Sequence, residues 1–169
     1  MIIVFILILV LPVFIWPGLI NAFNMPKFVT LLAGACVLAM MCRKRINPKA
    51  EKIILLIVAL NVFSLFYTLN PYQTKHAVVL NLACLMVLYF IAGHSTPKGN
   101  EWLMIGISVS GLIVAIVVIL QGFGVYFLVP SEQRLIVGTI GNSNYLGAYL
   151  IFPFYSSLWL GLKNNQSLN

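Results

Sequence analysis

Aspartate is absent from this 169-residue sequence, and only three acidic residues occur, Glu51, Glu101 and Glu132. Mechanisms that need an aspartate are excluded within the chain, and no pair of carboxylates has a catalytic spacing. Charged residues of all kinds make up 8%, against about a quarter in a soluble domain. The three cysteines, Cys36, Cys42 and Cys84, lie in or at the ends of apolar segments, with no CxxC and no Cys/His spacing. They read as free, membrane-buried thiols, and a disulfide scaffold is excluded. GxxxxGK[ST], HExxH and GxSxG are all missing, so the sequence calls for no metal and no cofactor. No repeat relates the two halves, so an inverted-repeat transporter gains no support.

What is present is apolar matter. Hydrophobic residues total 62%, and the mean hydropathy is +1.04. This composition excludes a soluble globular protein and a disordered chain. The expected fold is all-α, a polytopic transmembrane helical bundle. At roughly 25 residues per span plus loop, the length allows about six or seven spans and no sizeable soluble domain. Six are assigned, near residues 1–19, 27–42, 53–69, 76–93, 102–122 and 145–162, in a single transmembrane domain over 1–169. The first lacks a basic n-region and a small-residue cleavage site, so it does not read as a signal peptide. Pro12 and Pro17 are expected to kink or end it. Pro26 falls in the first turn of the second span.

The net charge of +7 comes from ten Lys and Arg residues, which sit in short loops. Topology accounts for them better than nucleic-acid binding does, so no nucleic-acid partner is expected. Arg43, Lys44, Arg45, Lys49 and Lys52 crowd one loop, which the positive-inside rule makes cytoplasmic. The N-terminus is then cytoplasmic, and Lys98 and Lys163 also fall inside. Lys27, Lys75 and Arg134 fall outside.

The spans carry few polar groups. Asn61, Ser64 and Thr68 share one face of the third span at i, i+3 and i+7, and Asn81 lies within the fourth. Gly106, Ser110 and Gly111 give the fifth a small face, and Thr30 and Gly34 do so for the second. Two readings are open: close helix packing with polar side chains paired across helices, or a polar-lined cavity. No span has a central Asp, Glu, Lys or Arg, which argues against a proton relay, an ion pump or a voltage sensor.

The informative connection is Gln121 to Asn144, QGFGVYFLVPSEQRLIVGTIGNSN. Phe123, Tyr126, Phe127, Leu128 and Val129 are too apolar for a free loop and suit the membrane interface. Pro130-Ser131 then makes a turn. Arg134 follows, the one arginine on the outer side. Gly141, Asn142, Ser143 and Asn144 are turn and cap residues at the start of the sixth span. A helix N-terminus offers free N–H donors and a partial positive charge, and a guanidinium adds bidentate hydrogen bonds to phosphate. Arg134 with Gly141, Asn142, Ser143 and Asn144 is therefore a candidate phosphate or pyrophosphate site. The competing reading is an arginine on lipid headgroups, or on Glu132, beside an ordinary cap. Lys75 and His76, at the outer end of the fourth span, are weaker outer-face candidates whose plainer role is interfacial anchoring.

The segment RLIVGTIGNSNYLGAYL, Arg134 to Leu150, resembles the arginine-led Gly-Thr-x-Gly-Asn-Pro-Asn pattern of the O-antigen ligase and polymerase family of bacterial membrane proteins. Ser143 stands where the family has proline, and Ser also suits a helix start. Asn24-Met25-Pro26-Lys27 resembles the family's entry to the second span, and Asn70-Pro71-Tyr72 the polar outer loop after the third. The resemblance implies the N-terminal half of a membrane glycosyltransferase similar to metal-independent polytopic enzymes. Such a protein is multi-pass in the bacterial inner membrane. It takes glycan from an undecaprenyl-pyrophosphate carrier, among membrane lipids, and passes it to a lipid, glycan or protein acceptor on the outer face. In the family, an arginine matching Arg134 contacts the pyrophosphate. Family members continue past the sixth span, with a large outer loop and further arginine and histidine residues. The chain is therefore expected to need a C-terminal half or a partner subunit, and its catalytic residues are not assigned. The alternative is a non-enzymatic membrane protein, a transporter subunit or a partner in polysaccharide export.

Overall fold

The computed structural model describes residues 1–15, 24–42, 46–126 and 136–166, with the side chains of 164–166 left aside. Helix is the only regular structure among these residues. The helices are α1 (Ile2–Val13), α2 (Asn24–Met41), α3 (Pro48–Phe63), α4 (Pro71–His94), α5 (Pro97–Gly122) and α6 (Ser143–Gln166), with a 3₁₀ turn at Ser64–Phe66. Four of them, α2, α4, α5 and α6, are long and apolar enough to cross a membrane. α1 has 12 residues and α3 has 16, and both are shorter than a full span. Large apolar side chains point outward along these helices. α3 exposes Ile53, Leu55, Leu56, Leu60 and Phe63, and α6 exposes Ile151, Phe152, Phe154 and Leu162. Water would penalise so much contiguous apolar surface, whereas lipid does not. The chain is thus a helical, membrane-embedded protein.

Three helices start by the same local chemistry. Asn47, Asn70 and Thr96 precede Pro48, Pro71 and Pro97. Each cap side chain accepts a backbone N–H, from Lys49 at 2.9 Å, Gln73 at 3.2 Å and Gly99 at 3.0 Å. Proline is at ease in the first turn because its missing N–H has no partner there. These caps set the starts of α3, α4 and α5 five residues ahead of the hydropathy boundaries at 53, 76 and 102. Lys75 and His76 consequently sit a turn inside α4. The first span stops early: Pro12 has no N–H to offer Ile8, and α1 ends one residue later.

The chain divides into two compact units. One comprises Leu31–Ser95. In it, α3 and α4 are joined through the 3₁₀ turn, where the ring of Phe63 packs on Tyr67 with centroids 5.0 Å apart. The polar stripe expected on the third span is corrected here. α3 ends at Phe63, so Ser64 and Thr68 leave the helix face. Ser64 donates to the Asn61 carbonyl at 2.6 Å, and Thr68 pairs with the Thr74 hydroxyl. Asn61 alone stays on the helix, accepting from the Asn81 amide at 2.8 Å. A closed cross-helix bond of this kind is the packing reading of these residues. Replacing Asn81 by leucine is expected to cost about 0.6–2 kcal/mol. Detergent-titration unfolding would show this, with the Asn61→Leu, Asn81→Leu double variant little worse than either single one.

The other unit comprises Ile2–Thr30 and the chain from Thr96 onward. Here α5 packs against α1 on one side and α6 on another. The small face of α5 is the contact surface. Gly106 lies under the Phe5 ring, and Gly111 lies so close to Pro153 of α6 that a Cβ there would be 2.1 Å from the proline Cβ. Ser110 is buried, donates to Ile107 O at 2.9 Å and accepts from the Tyr149 hydroxyl at 2.7 Å. α5 and α6 run antiparallel. At one end of the pair, Glu101 in the first turns of α5 meets Lys163 in the last turns of α6 at 2.7 Å. At the other end lies the turn between them.

Candidate functional site

That turn is built on Gln121, the penultimate residue of α5, which is 2% exposed. Its side-chain carbonyl accepts the backbone N–H of Gly138 at 2.8 Å and of Val137 at 3.1 Å. A buried amide at a helix end thus satisfies donors that would otherwise be orphaned. The held segment turns sharply, with Gly141 N donating to Val137 O at 3.2 Å. Gly138 and Gly141 have φ of +57° and +85°, a left-handed conformation open to glycine at no steric cost. Gly138 is also crowded, since a Cβ there would lie 3.0 Å from Val118 and 3.1 Å from Leu146.

Thr139, between these glycines, is fully buried. Its hydroxyl donates to Pro12 O at 2.6 Å, supplying a partner to one of the last carbonyls of α1. Its own carbonyl accepts from the Lys27 ammonium, 112 residues away in the first turn of α2. Four helix ends therefore meet at the Val137–Thr139 segment: the C-termini of α1 and α5, the N-terminus of α2 and the approach to α6. Lys27 bonds to no carboxylate among the described residues, and Glu101 is engaged at the far end of α5. A neutral carbonyl brings no opposite charge to the ammonium, so among the described residues Lys27 is a cation without a carboxylate partner at this end of the unit.

The sequence candidates fall as follows. Gly141 is half-buried, and Asn142, Ser143 and Asn144 are exposed. Asn142 is the cap of α6: its side chain accepts the Asn144 N–H at 2.9 Å, and its carbonyl accepts the Leu146 N–H at 2.9 Å. One of the amides offered to an anion by the sequence pattern is thus already taken by the cap itself. Arg134 lies outside the described residues, as do Glu132, the Pro130-Ser131 turn, Phe127, Leu128, Val129 and the basic cluster Arg43, Lys44, Arg45. Lys75 and His76 are exposed on α4 in the Leu31–Ser95 unit. Among the described residues, no group of three or more His, Cys or Glu side chains lies together to hold a metal ion.

Lys27, Thr139 and Gln121 were not among the sequence candidates. Lys27 did carry a signal, as a lone cation in the first turn of an apolar helix, where an unpaired charge calls for a role. Gln121 carried a fainter one, as a polar residue closing a long apolar run. Thr139 carried none beyond its place between two glycines. Comparison with family models, with characterised proteins and with solved structures finds no match to this chain.

Proposed function

We propose that the chain is the N-terminal part of an O-antigen ligase- or polymerase-like transferase. In this reading it moves glycan from an undecaprenyl-pyrophosphate carrier to a lipid, glycan or protein acceptor on the outer face of the bacterial inner membrane. The observation that carries the reading is the bond between Lys27 and Thr139. Two of the three segments that bear the family resemblance, Asn24–Lys27 and Arg134–Leu150, are remote in sequence, and Lys27 of one bonds Thr139 of the other. The leaving group of the reaction is a pyrophosphate, and fixed positive charge at that point stabilises the charge that develops on it. Arg134, four residues ahead of Gly138, supplies the guanidinium, and Lys27 adds a second cation.

The topology in this reading is six spans with a cytoplasmic N-terminus, counting α1 and α3. Charge distribution supports it. Lys27 and the α6 cap share the end of the unit assigned to the outside, while Lys163 and Glu101 mark the opposite end of the α5–α6 pair. Complementation of a ligase- or polymerase-deficient cell by the full reading frame tests the function. Arg134→Ala is expected to lower surface glycan roughly 10²–10³-fold at normal protein level, the size of effect seen when a group holding transition-state charge is removed. Unchanged glycan would sink the pyrophosphate role and favour the non-enzymatic alternative.

A further inference from the structure

Asn81 lies near the middle of α4, a helix long and apolar enough to cross a membrane. It donates one N–H to Asn61 Oδ1 at 2.8 Å, and Asn61 donates its own N–H to Ile57 O at 2.9 Å. A carboxamide has two N–H donors and an accepting oxygen. The second N–H and the oxygen of Asn81 therefore bond nothing among the described residues, and the side chain is exposed. Water would satisfy both groups, but the middle of a bilayer holds none, and an unpaired polar group there is costly. Asn81 also sits in a regular frame. Thr74, Ala77, Asn81, Cys84, Leu88 and Ile91 recur at alternating intervals of three and four residues, the period of a helix–helix seam. Ala77, Cys84 and Leu88 are exposed with Asn81, whereas Val78, Ala83 and Phe90, the buried residues of α4, lie off this line.

We propose that α4 pairs with α4 of a second copy of this chain along this seam, the two Asn81 carboxamides bonding each other across a two-fold axis. The occupant follows from the free groups. One N–H and one oxygen on the same carboxamide are self-complementary, so an identical residue satisfies both at once, as an isologous interface requires. Copies inserted in one membrane with one topology run parallel, which places Asn81 against Asn81. A single asparagine at such a seam position fixes register and oligomer state. Ala77 and Cys84, one turn to either side, are small enough for close approach. The inference goes beyond the transferase reading and does not rest on it.

The test uses the full chain in lipid vesicles with Cys36→Ala and Cys42→Ala, so that Cys84 is the one remaining thiol. Oxidation by copper phenanthroline is expected to yield a dimer linked through Cys84. A disulfide needs its two Cα atoms within about 7 Å, so its formation reports close approach. Moving the thiol to the other side of α4, with Cys84→Ala and Val79→Cys, is expected to give only collisional background, although Val79 is exposed too. Asn81→Leu is expected to weaken association about tenfold, read as dimer yield against protein-to-lipid ratio, the loss of two interhelical hydrogen bonds. Asn61→Leu breaks the bond within the hairpin but leaves the Asn81 carboxamide in place, and is expected to keep the dimer. That variant separates the seam from the folding of the hairpin. Ala77→Phe touches neither asparagine bond and is expected to block the approach and remove the crosslink. The proposal is overturned if Cys84 crosslinks no better than Val79→Cys, the result when lipid or another helix of the chain covers this face. A yield that ignores both Asn81→Leu and Ala77→Phe overturns it as well.

Discussion

Gly111→Ala is expected to destabilise the α5–α6 pair by about 1–3 kcal/mol, the usual cost of overpacking a tight contact. The added Cβ would sit 2.1 Å from Pro153 Cβ and 2.4 Å from Pro153 Cγ. A proline ring has no rotamer into which it can swing away, so the two helix backbones must separate. Separation takes the Ser110–Tyr149 bond with it, since Ser110 precedes Gly111 in the chain. In lipid the hydrophobic effect does not hold helices together, and close approach through small residues carries the association. Gly106→Ala is the control. Its Cβ would crowd the edge of the Phe5 ring, at 3.0 Å, with Ile8 Cγ2 at an ordinary 3.6 Å, and a phenyl ring can tilt. That variant is expected to unfold close to wild type, because the gain in helix propensity of roughly 1 kcal/mol offsets the ring's displacement. Unfolding by detergent titration or steric trapping separates the two. Pro153→Gly removes the obstructing ring, so adding it to Gly111→Ala is expected to cost less than the sum of the singles. Equal stability of the two alanine variants would show that α5 and α6 do not approach so closely.

This contact was legible in part from sequence. Gly106, Ser110 and Gly111 mark a small face at helical spacing, and that face is where α5 meets α1 and α6. What the pattern does not carry is the partner of each residue. Nothing in the spacing ties Gly111 to a proline 42 positions on. The helix starts are legible in the sequence. Asn-Pro and Thr-Pro at residues 47–48, 70–71 and 96–97 are cap-plus-proline signals. Hydropathy boundaries ignore them because the first helical turn is polar. The Asn61, Ser64, Thr68 stripe failed for a related reason. The helical period stops at Phe63, where the chain enters the 3₁₀ turn that leads to Asn70-Pro71, and the residue before a proline disfavours the helical conformation.

The site was legible at its glycines and its cap. Gly141 does take a left-handed φ, as Gly138 also does, and Asn142 does cap α6. The residues that organise the turn are only faintly marked in the sequence, because their chemistry depends on tertiary neighbours. Lys27 and Thr139 are remote in sequence, and Gln121 reads as the end of an apolar helix until the loop folds back onto it. A motif names backbone requirements well, since those are local. It names poorly the side chains that hold the motif in place.

Gln121→Leu is the change that tests those holding groups, and its effect is expected to be large and local. Leucine fills a similar volume but accepts nothing, so the N–H groups of Val137 and Gly138 lose their shared acceptor. Leaving two buried donors unpaired costs roughly 1–3 kcal/mol each. The turn can avoid that cost by opening to water, since it lies at a helix end. Opening withdraws Thr139 from Pro12 and from Lys27, and this end of the unit comes apart while the Gly111–Pro153 contact persists. Hydrogen exchange is therefore expected to accelerate by about two orders of magnitude or more at the 137 and 138 amides, with the middle of α5 unchanged. Gln121→Glu, accommodated as the neutral acid, keeps an acceptor for both N–H groups and can replace the long 3.5 Å donation to Gly138 O by its own O–H, so it is expected to lose less than Gln121→Leu. Under the proposed transferase function, Gln121→Leu in the full reading frame is expected to lower surface glycan as is expected of Arg134→Ala, at near-normal protein level. Gly111→Ala should lower both together. If Gln121→Leu leaves exchange at residues 137 and 138 unaltered, the buried amide does not hold the turn, and the convergence on Thr139 loses its physical cause.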